Sequence, residues 1–298
     1  MTARKEKNIP RRPPLPPQTF PLSRGPVIEP VPVPPAPIIT ITSDIGWSYA
    51  SQMKAVLLRE APSVRIVDIT HEVSSHQVLE GAFLLRYCGA WFPPGTIHLA
   101  VVDPGVGGER YPIVITCRGG TTLVGPDNGL LVPLAEHIGE PKAYHILREK
   151  VLPASQASAT FEGRDLFAPA AARLAAGTHA AELGSPIEFM PFQFPQPFLE
   201  GGTASIAVLY VDYFGNIITN MPTADFHNRI ASIGDWVSLN VHTHHFRAQV
   251  ARTYEELPQG ALGVVGSSFG LIELAVNRGR AHDFVGLAPG ARFSIQRI

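Results

Sequence analysis

The segment that most limits what this chain can become is Val101-Val102-Asp103-Pro104-Gly105-Val106-Gly107-Gly108-Glu109-Arg110. It continues the apolar run Ile97-His98-Leu99-Ala100, which reads as a strand covered on both faces. Strands of that kind belong to parallel sheets flanked by helices. Asp103 therefore stands where a buried strand runs out into a loop. Pro104 and three glycines keep that loop tight and bare, so a ligand can approach its backbone closely. Asp103 and Arg110, seven positions apart, can face each other over a small polar site. Taken alone, the segment fits a strand-ending turn with a structural Asp–Arg pair equally well.

The surrounding pattern agrees with a parallel sheet. From Ile38 onward the spacing predicts a strand over 38–42, a helix over 49–60, a strand over 65–69, a helix over 78–91 and a strand over 97–102. Further strands are expected at 113–116 and 122–124, and an alanine-rich helix at 165–176 that Gly177 stops. The texture then changes. Met190-Pro191-Phe192-Gln193-Phe194-Pro195-Gln196-Pro197 has no period its prolines would tolerate, so it reads as a linker. Short strands follow at 204–211, 236–241, 245–250, 261–265 and 293–296, the pattern of a small barrel or sandwich. The expected organisation is a proline-rich arm over 1–37 and an α/β domain with a mostly parallel central sheet over 38–189. A linker over 190–203 leads to a smaller all-β, barrel-like domain over 204–298.

Bulk properties exclude several classes of function. A chain of 298 residues can build two cores. Its net charge of -1 and 16% charged content argue against nucleic acid, which needs a basic face. No apolar run is long enough to span a bilayer. The arm carries Pro13-Pro14, Pro16-Pro17 and Pro34-Pro35 and an early group of basic residues (Arg4, Lys5, Lys7, Arg11, Arg12). It favours extended polyproline II, is read as disordered or draped on the surface, and lacks the apolar core of a signal peptide. Cys88 and Cys117 have no CxxC spacing and are expected as reduced, buried thiols of a cytoplasmic protein. Among His242, His244 and His245, strand alternation would put the first two on one face. No third ligand is evident, so a surface stripe rather than a metal site is expected.

Six further motifs accompany the glycine loop, in chain order. They are Thr42-Ser43-Asp44-Ile45-Gly46, Asp68-Ile69-Thr70-His71, Phe92-Pro93-Pro94-Gly95-Thr96, Gly125-Pro126-Asp127-Asn128-Gly129-Leu130-Leu131, Gly163-Arg164-Asp165-Leu166-Phe167-Ala168-Pro169 and Asp212-Tyr213-Phe214-Gly215-Asn216. Together they resemble the S-adenosyl-L-methionine hydroxide adenosyltransferases, adenosine-forming hydrolases related to the fluorinases and chlorinases. The likeness runs from about Ile38 to the C-terminus. It implies an α/β domain followed by a β domain, and a homotrimer whose active sites lie between one subunit's first domain and its neighbour's second.

The resemblance also assigns roles. Asp44, at the C-terminal edge of the expected sheet, is positioned to accept hydrogen bonds from the ribose hydroxyls. Read alone, it could cap the following helix. Asp212 and Asn216 bracket the Phe214-Gly215 turn, and by resemblance contact the methionine amino group and adenine respectively; read alone, they form a turn. Ser268 is implied at the methionine end, and Tyr254 offers an aromatic face to adenine or a core contact. Glu273 and Arg278 are ligand contacts or a solvated pair. Asp103 and Arg110 match two of the three groups that hold the attacking water. The third, a histidine immediately before Gly-Arg-Asp, is here Glu162, a carboxylate that could act as a general base. His71 and His76 are alternative sources of an imidazole.

Substitution at C5′ with methionine leaving needs an oriented, desolvated nucleophile, with neither a metal nor an acid. The leading expectation is therefore hydrolysis of S-adenosyl-L-methionine to adenosine and L-methionine, with no cofactor. The alternatives are a halide adenosyltransferase, disfavoured by the Asp–Arg pair, and a non-catalytic adenosyl-ligand binder, which Glu162 makes credible.

Overall fold

Two residue patterns separate the two layers of the first domain. In β1 (Ile38–Ser43), Ile39 and Ile41 enter a core with Met53 and Leu57 of α1 (Gly46–Glu60). The alternating Thr40 faces the other way, where its Oγ1 shares a 2.8 Å hydrogen bond with His98 Nδ1. Ala50, Met53, Val56 and Leu57 are the buried positions of α1, a spacing that puts them on one face. The helix starts at Gly46 rather than at 49, because nothing in Trp47-Ser48 opposes helix.

The computed structural model describes residues 36–151, 158 and 160–298. Nearly all of the expected arm lies outside the described residues. The chain continues through β2 (Arg65–Thr70), α2 (Val78–Gly89), β3 (Ile97–Val101), β4 (Pro112–Thr116), β5 (Thr122–Pro126), α3 (Val132–Ile138) and β6 (Lys142–Ile146). Then come α4 (Arg148–Val151), a π-helical turn (Gly163–Phe167), α5 (Ala168–Ala175), α6 (Ala180–Leu183) and β7 (Gly184–Ile187). The expected single helix over 165–176 is thus a π turn running into α5. The sheet order is β2-β1-β3-β5-β4-β6-β7. Its first four strands are parallel, as expected, and the β5–β4, β4–β6 and β6–β7 pairings are antiparallel.

The second domain comprises β8 (Phe198–Glu200), β9 (Thr203–Val211), β10 (Ile217–Pro222), α7 (Thr223–Arg229), β11 (Trp236–Val241), β12 (His244–Val250), β13 (Leu262–Gly266), β14 (Leu271–Val276), α8 (Ala281–Val285) and β15 (Arg292–Arg297). Seven of these strands close into a barrel because β9 is long enough to pair twice. Thr203 to Ala207 pair with β15, whereas Val208, Tyr210 and Val211 pair with β10. The third strand on β9 is β8, which falls inside the segment read as a linker.

The α/β layer meets the barrel through α2. Phe83 stacks near Tyr210 (centroids 5.8 Å) and meets Phe269 edge-on at 5.2 Å, in one cluster with Leu209, Ile218 and Leu271. Phe83 is fully buried, so truncating it to alanine would cost roughly 3–5 kcal/mol.

Candidate active site

Two acids emerge side by side because β1 and β3 are parallel neighbours that end together, Ser43 opposite Val101. Asp44 follows the first strand and Asp103 the second, at the sheet edge where open α/β folds bind ligands. The strand end is fixed from the other side. Asn128 Nδ2 donates to the Val102 carbonyl at 2.8 Å, while its Oδ1 accepts from Leu130 N–H at 3.2 Å. Gly125 is required next to this point, since a Cβ would lie 2.2 Å from the Ala100 carbonyl oxygen. The glycine loop itself is closed by Val106 N–H on the Asp103 carbonyl (3.3 Å) and Gly108 N–H on the Gly105 carbonyl (3.0 Å).

Asp103 and Arg110 meet as their spacing allows. Arg110 Nε donates to both Asp103 oxygens at 3.1 Å, and Nη2 donates to Oδ2. The same Nη2 reaches Glu162 Oε2, and Arg148 Nη2 reaches Glu162 Oε1. The Asp103, Arg110 and Glu162 side chains are 5%, 9% and 2% exposed; that of Arg148 is 49% exposed. Burial disfavours the Arg110 cation, but its bonds to Asp103 and Glu162 outweigh that and hold the guanidinium above its ordinary value. Among the described residues its Nη1 has no hydrogen-bond partner, and the guanidinium lies 5.5 Å over the Phe167 ring. Glu162 immediately precedes the π turn, a distortion frequent at functional sites. Arg148 carries no sequence signal for this role.

These groups open on a cavity of about 240 Å³ lined by Asp44, His76, Asp103, Val106, Phe161 and Glu162, among others. Asp44 does not cap α1, whose N-cap is Ile45 without a side-chain bond; its Oδ2 instead accepts His76 N–H at 2.9 Å. His76 lines this cavity, but His71 does not. His71 is buried between Ser43 Oγ (2.8 Å from Nδ1) and Asp68 Oδ1 (3.0 Å from Nε2), and burial lowers its pKa.

The barrel carries the second group. A cavity of about 810 Å³ is lined by Asp212, Phe214, Asn216, Tyr254, Arg278 and Arg280, among others. Asp212 accepts Asn216 N–H at 2.8 Å and its Nδ2 at 3.0 Å, so the turn itself sets the two side chains that line the cavity. Gly215 (φ 80°) is obligatory, because a Cβ would stand 2.7 Å from Arg280 Cβ. Glu273 and Arg278 are not a solvated pair. Glu273 is buried in β14 and accepts the Tyr254 hydroxyl, and burial pushes its carboxyl up. Burial and that hydrogen bond push the Tyr254 phenol up as well. Arg278 sits beyond the strand at φ 55°, a sparsely populated conformation of the kind that collects at ligand sites.

The two cavities share no lining residue. Ser268 lines neither: it is exposed in the turn between β13 and β14, opposite the end of β14 that carries Val276. His242 and His244 do not share a strand face. His242 occupies the hairpin turn before β12 at φ 51°. Among the described residues no group of three or more His, Cys, Asp or Glu could hold a metal ion, and no helix is long and apolar enough to cross a membrane. Cys88 and Cys117 are both free.

Comparison with known proteins fits this two-part layout. The SAM hydroxide adenosyltransferase N-terminal domain matches residues 39–184 and the corresponding C-terminal domain matches 206–294. The chain is 38% identical to the (R)-S-adenosyl-L-methionine hydrolase of Salinispora arenicola, over 87% of this chain and 97% of that one. It is 37% identical to the protein of the same name from Thermus thermophilus, over 83% and 95%. The fluorinase of Actinoplanes sp. is 30% identical over 63% and 73%. Among solved structures, an uncharacterized conserved protein from Thermotoga maritima superposes with a TM-score of 0.79 at 34% identity, covering 87% of this chain and all of that one.

Proposed function

This chain belongs to the SAM hydroxide adenosyltransferase family, and from that membership we propose that it hydrolyses (R)-S-adenosyl-L-methionine to adenosine and L-methionine. The observation that carries the reading is the Asp103–Arg110 pair, buried and bidentate, beside Asp44 at the parallel-sheet edge. In the proposed step the water oxygen bonds to C5′ as the C5′–S bond breaks, and the bonding pair leaves with sulfur as the neutral thioether of methionine. Asp103 receives the water proton, Arg110 fixes the carboxylate, and Asp44 holds the ribose. No step calls for a metal or an acid on the leaving group. The relatives named hydrolase are 35–38% identical to this chain and those named fluorinase 26–30%, which favours water over halide.

Ligand pockets typically enclose about 300–1,000 Å³. The sheet-edge cavity, at about 240 Å³, is smaller than that, whereas the barrel cavity offers about 810 Å³ with aromatic walls. We therefore assign adenine and methionine recognition to Asp212, Phe214, Asn216, Tyr254 and Arg278 of a neighbouring subunit in a homotrimer. Glu273 supports Tyr254. Cytoplasmic location is part of the reading, since the free thiols of Cys88 and Cys117 suit a reducing compartment. The test is incubation with the (R) and (S) epimers in ¹⁸O-water with a chelator present. Labelled adenosine from the (R) epimer is expected. Label elsewhere, or activity lost on chelation, refutes the scheme.

A further inference from the structure

Asp103, Arg110, Glu162 and Arg148 form a single chain of alternating charge, in which each guanidinium is bonded to the carboxylate or carboxylates beside it. Three of the four side chains are less than a tenth exposed, and only Arg148, at the outer end, reaches solvent. The geometry points to Arg148 as a positioning residue that acts through Glu162 and Arg110 on Asp103. The inference rests on the reading of Asp103 as the group that handles the attacking water.

Both Glu162 oxygens are taken by guanidinium donors, Oε1 by Arg148 and Oε2 by Arg110. Glu162 thus ties Arg110 to Arg148. Arg110 in turn bonds both Asp103 and Glu162 through Nη2, and so keeps Asp103 in one orientation. Without Arg148, two buried carboxylates would share one guanidinium, and Glu162 would lose the partner that offsets its burial. A shift of Glu162 or Arg110 relieves this, and a displacement of about 1 Å at a reacting group can cost on the order of a hundredfold in rate. The substrate-recognising residues of the barrel are untouched by such a shift. The loss should therefore fall on kcat and spare KM.

The test compares native protein, R148Q, R148K, E162Q and the R148Q/E162Q double variant, each as the full chain. Adenosine release from (R)-S-adenosyl-L-methionine gives kcat and KM, and melting temperature is read alongside. R148Q should lower kcat at least about tenfold with KM within about twofold, and R148K should recover part of the loss by keeping a cation. The double variant should be no slower than E162Q, because Arg148 acts only through Glu162. Native kcat in R148Q, an R148K no better than R148Q, or losses that multiply in the double variant would each overturn the inference. Native protein that forms no adenosine refutes the reaction reading instead, and the ion-pair chain is then judged by melting alone. It stands if R148Q lowers the melting temperature more in the native background than in E162Q, and falls if the two decrements are equal.

Discussion

The sheet-edge cavity and the barrel cavity are built on opposite principles. The first is small and its charges are fixed: Asp103, Arg110 and Glu162 are buried and hold one another. The second is several times larger and open, with Tyr213 86% and Phe214 69% exposed beside it. Its polar pair, Asp212 and Asn216, is set by a local turn rather than by distant elements. Preorganised charge in a dry site favours stabilising a changing charge distribution, whereas exposed aromatic faces favour binding a flat ring. Under the proposed reaction the sheet edge suits chemistry and the barrel suits recognition, and each part can be disabled separately.

The largest effect should come from the sheet edge. Asp103→Asn keeps the shape but removes the proton acceptor, and kcat should fall by about 10²–10⁴-fold with KM little changed. Steady-state adenosine release decides this, and a variant with native kcat would break the division of labour. Next comes the barrel. Asn216→Ala removes the amide that Asp212 orients, and should lower kcat/KM by roughly 10–100-fold through KM, in line with about 1–3 kcal/mol for a polar group left unpaired. Mixing this variant with inactive Asp103→Ala protein, with subunit exchange proven by tagged chains, should raise activity at low substrate above that of the Asn216→Ala protein alone. No recovery would mean that both cavities serve a site within one chain. A smaller change is expected for Tyr254→Phe, which deletes the hydroxyl donated to Glu273 but keeps the ring. Its kcat/KM should drop about 3–10-fold, the size of one hydrogen bond to a charged or buried partner.

Where the sequence was legible follows the same contrast. The pairing of Asp103 with Arg110 was readable because both lie on one short loop whose glycines leave few ways to close. The parallel half of the sheet was readable because short apolar runs at β1, β2 and β3 alternate with the helix-length segments of α1 and α2. The barrel's closure was not, since it depends on β9 pairing at its two ends with different strands, a tertiary fact without a local signal. β14 is buried at every position and lacks alternation, so Glu273 and Arg278 looked like neighbours on a surface segment rather than a strand interior and the turn beyond it. Arg148 was hidden for a different reason. It reaches Glu162 from a one-turn helix fourteen positions away, and nothing in Arg148-Glu149-Lys150 distinguishes it from a solvated charge run.

The smallest expected effect lies at the junction between the two regions. Glu80 of α2 is buried, accepts Ser74 N–H at 3.1 Å, and stands close enough to Tyr210 of the barrel to help burial push that phenol up to about 12. Burial raises the Glu80 carboxyl above 4.5, so the folded chain binds its proton more tightly than the unfolded one. Through the window that begins near 4.5 and ends at the raised value, the folded state carries more protons, and stability falls as pH rises. Below that window the penalty is absent. Glu80→Gln keeps an acceptor for Ser74 but has nothing to ionise, so it should melt higher than native protein at pH 7, by roughly 2 °C, equivalent to about 0.5–1 kcal/mol in a chain of this size. At pH 4.5 the gap should already have narrowed, and at pH 3.5 the two should melt together. The raised carboxyl of Glu273 is present in both proteins and cancels from the difference. A gap that stays constant between pH 4.5 and 7 would show that Glu80 ionisation is not what strains the junction. A gap that closes as described would identify α2 as the place where the cost of joining a charged sheet edge to a barrel is carried.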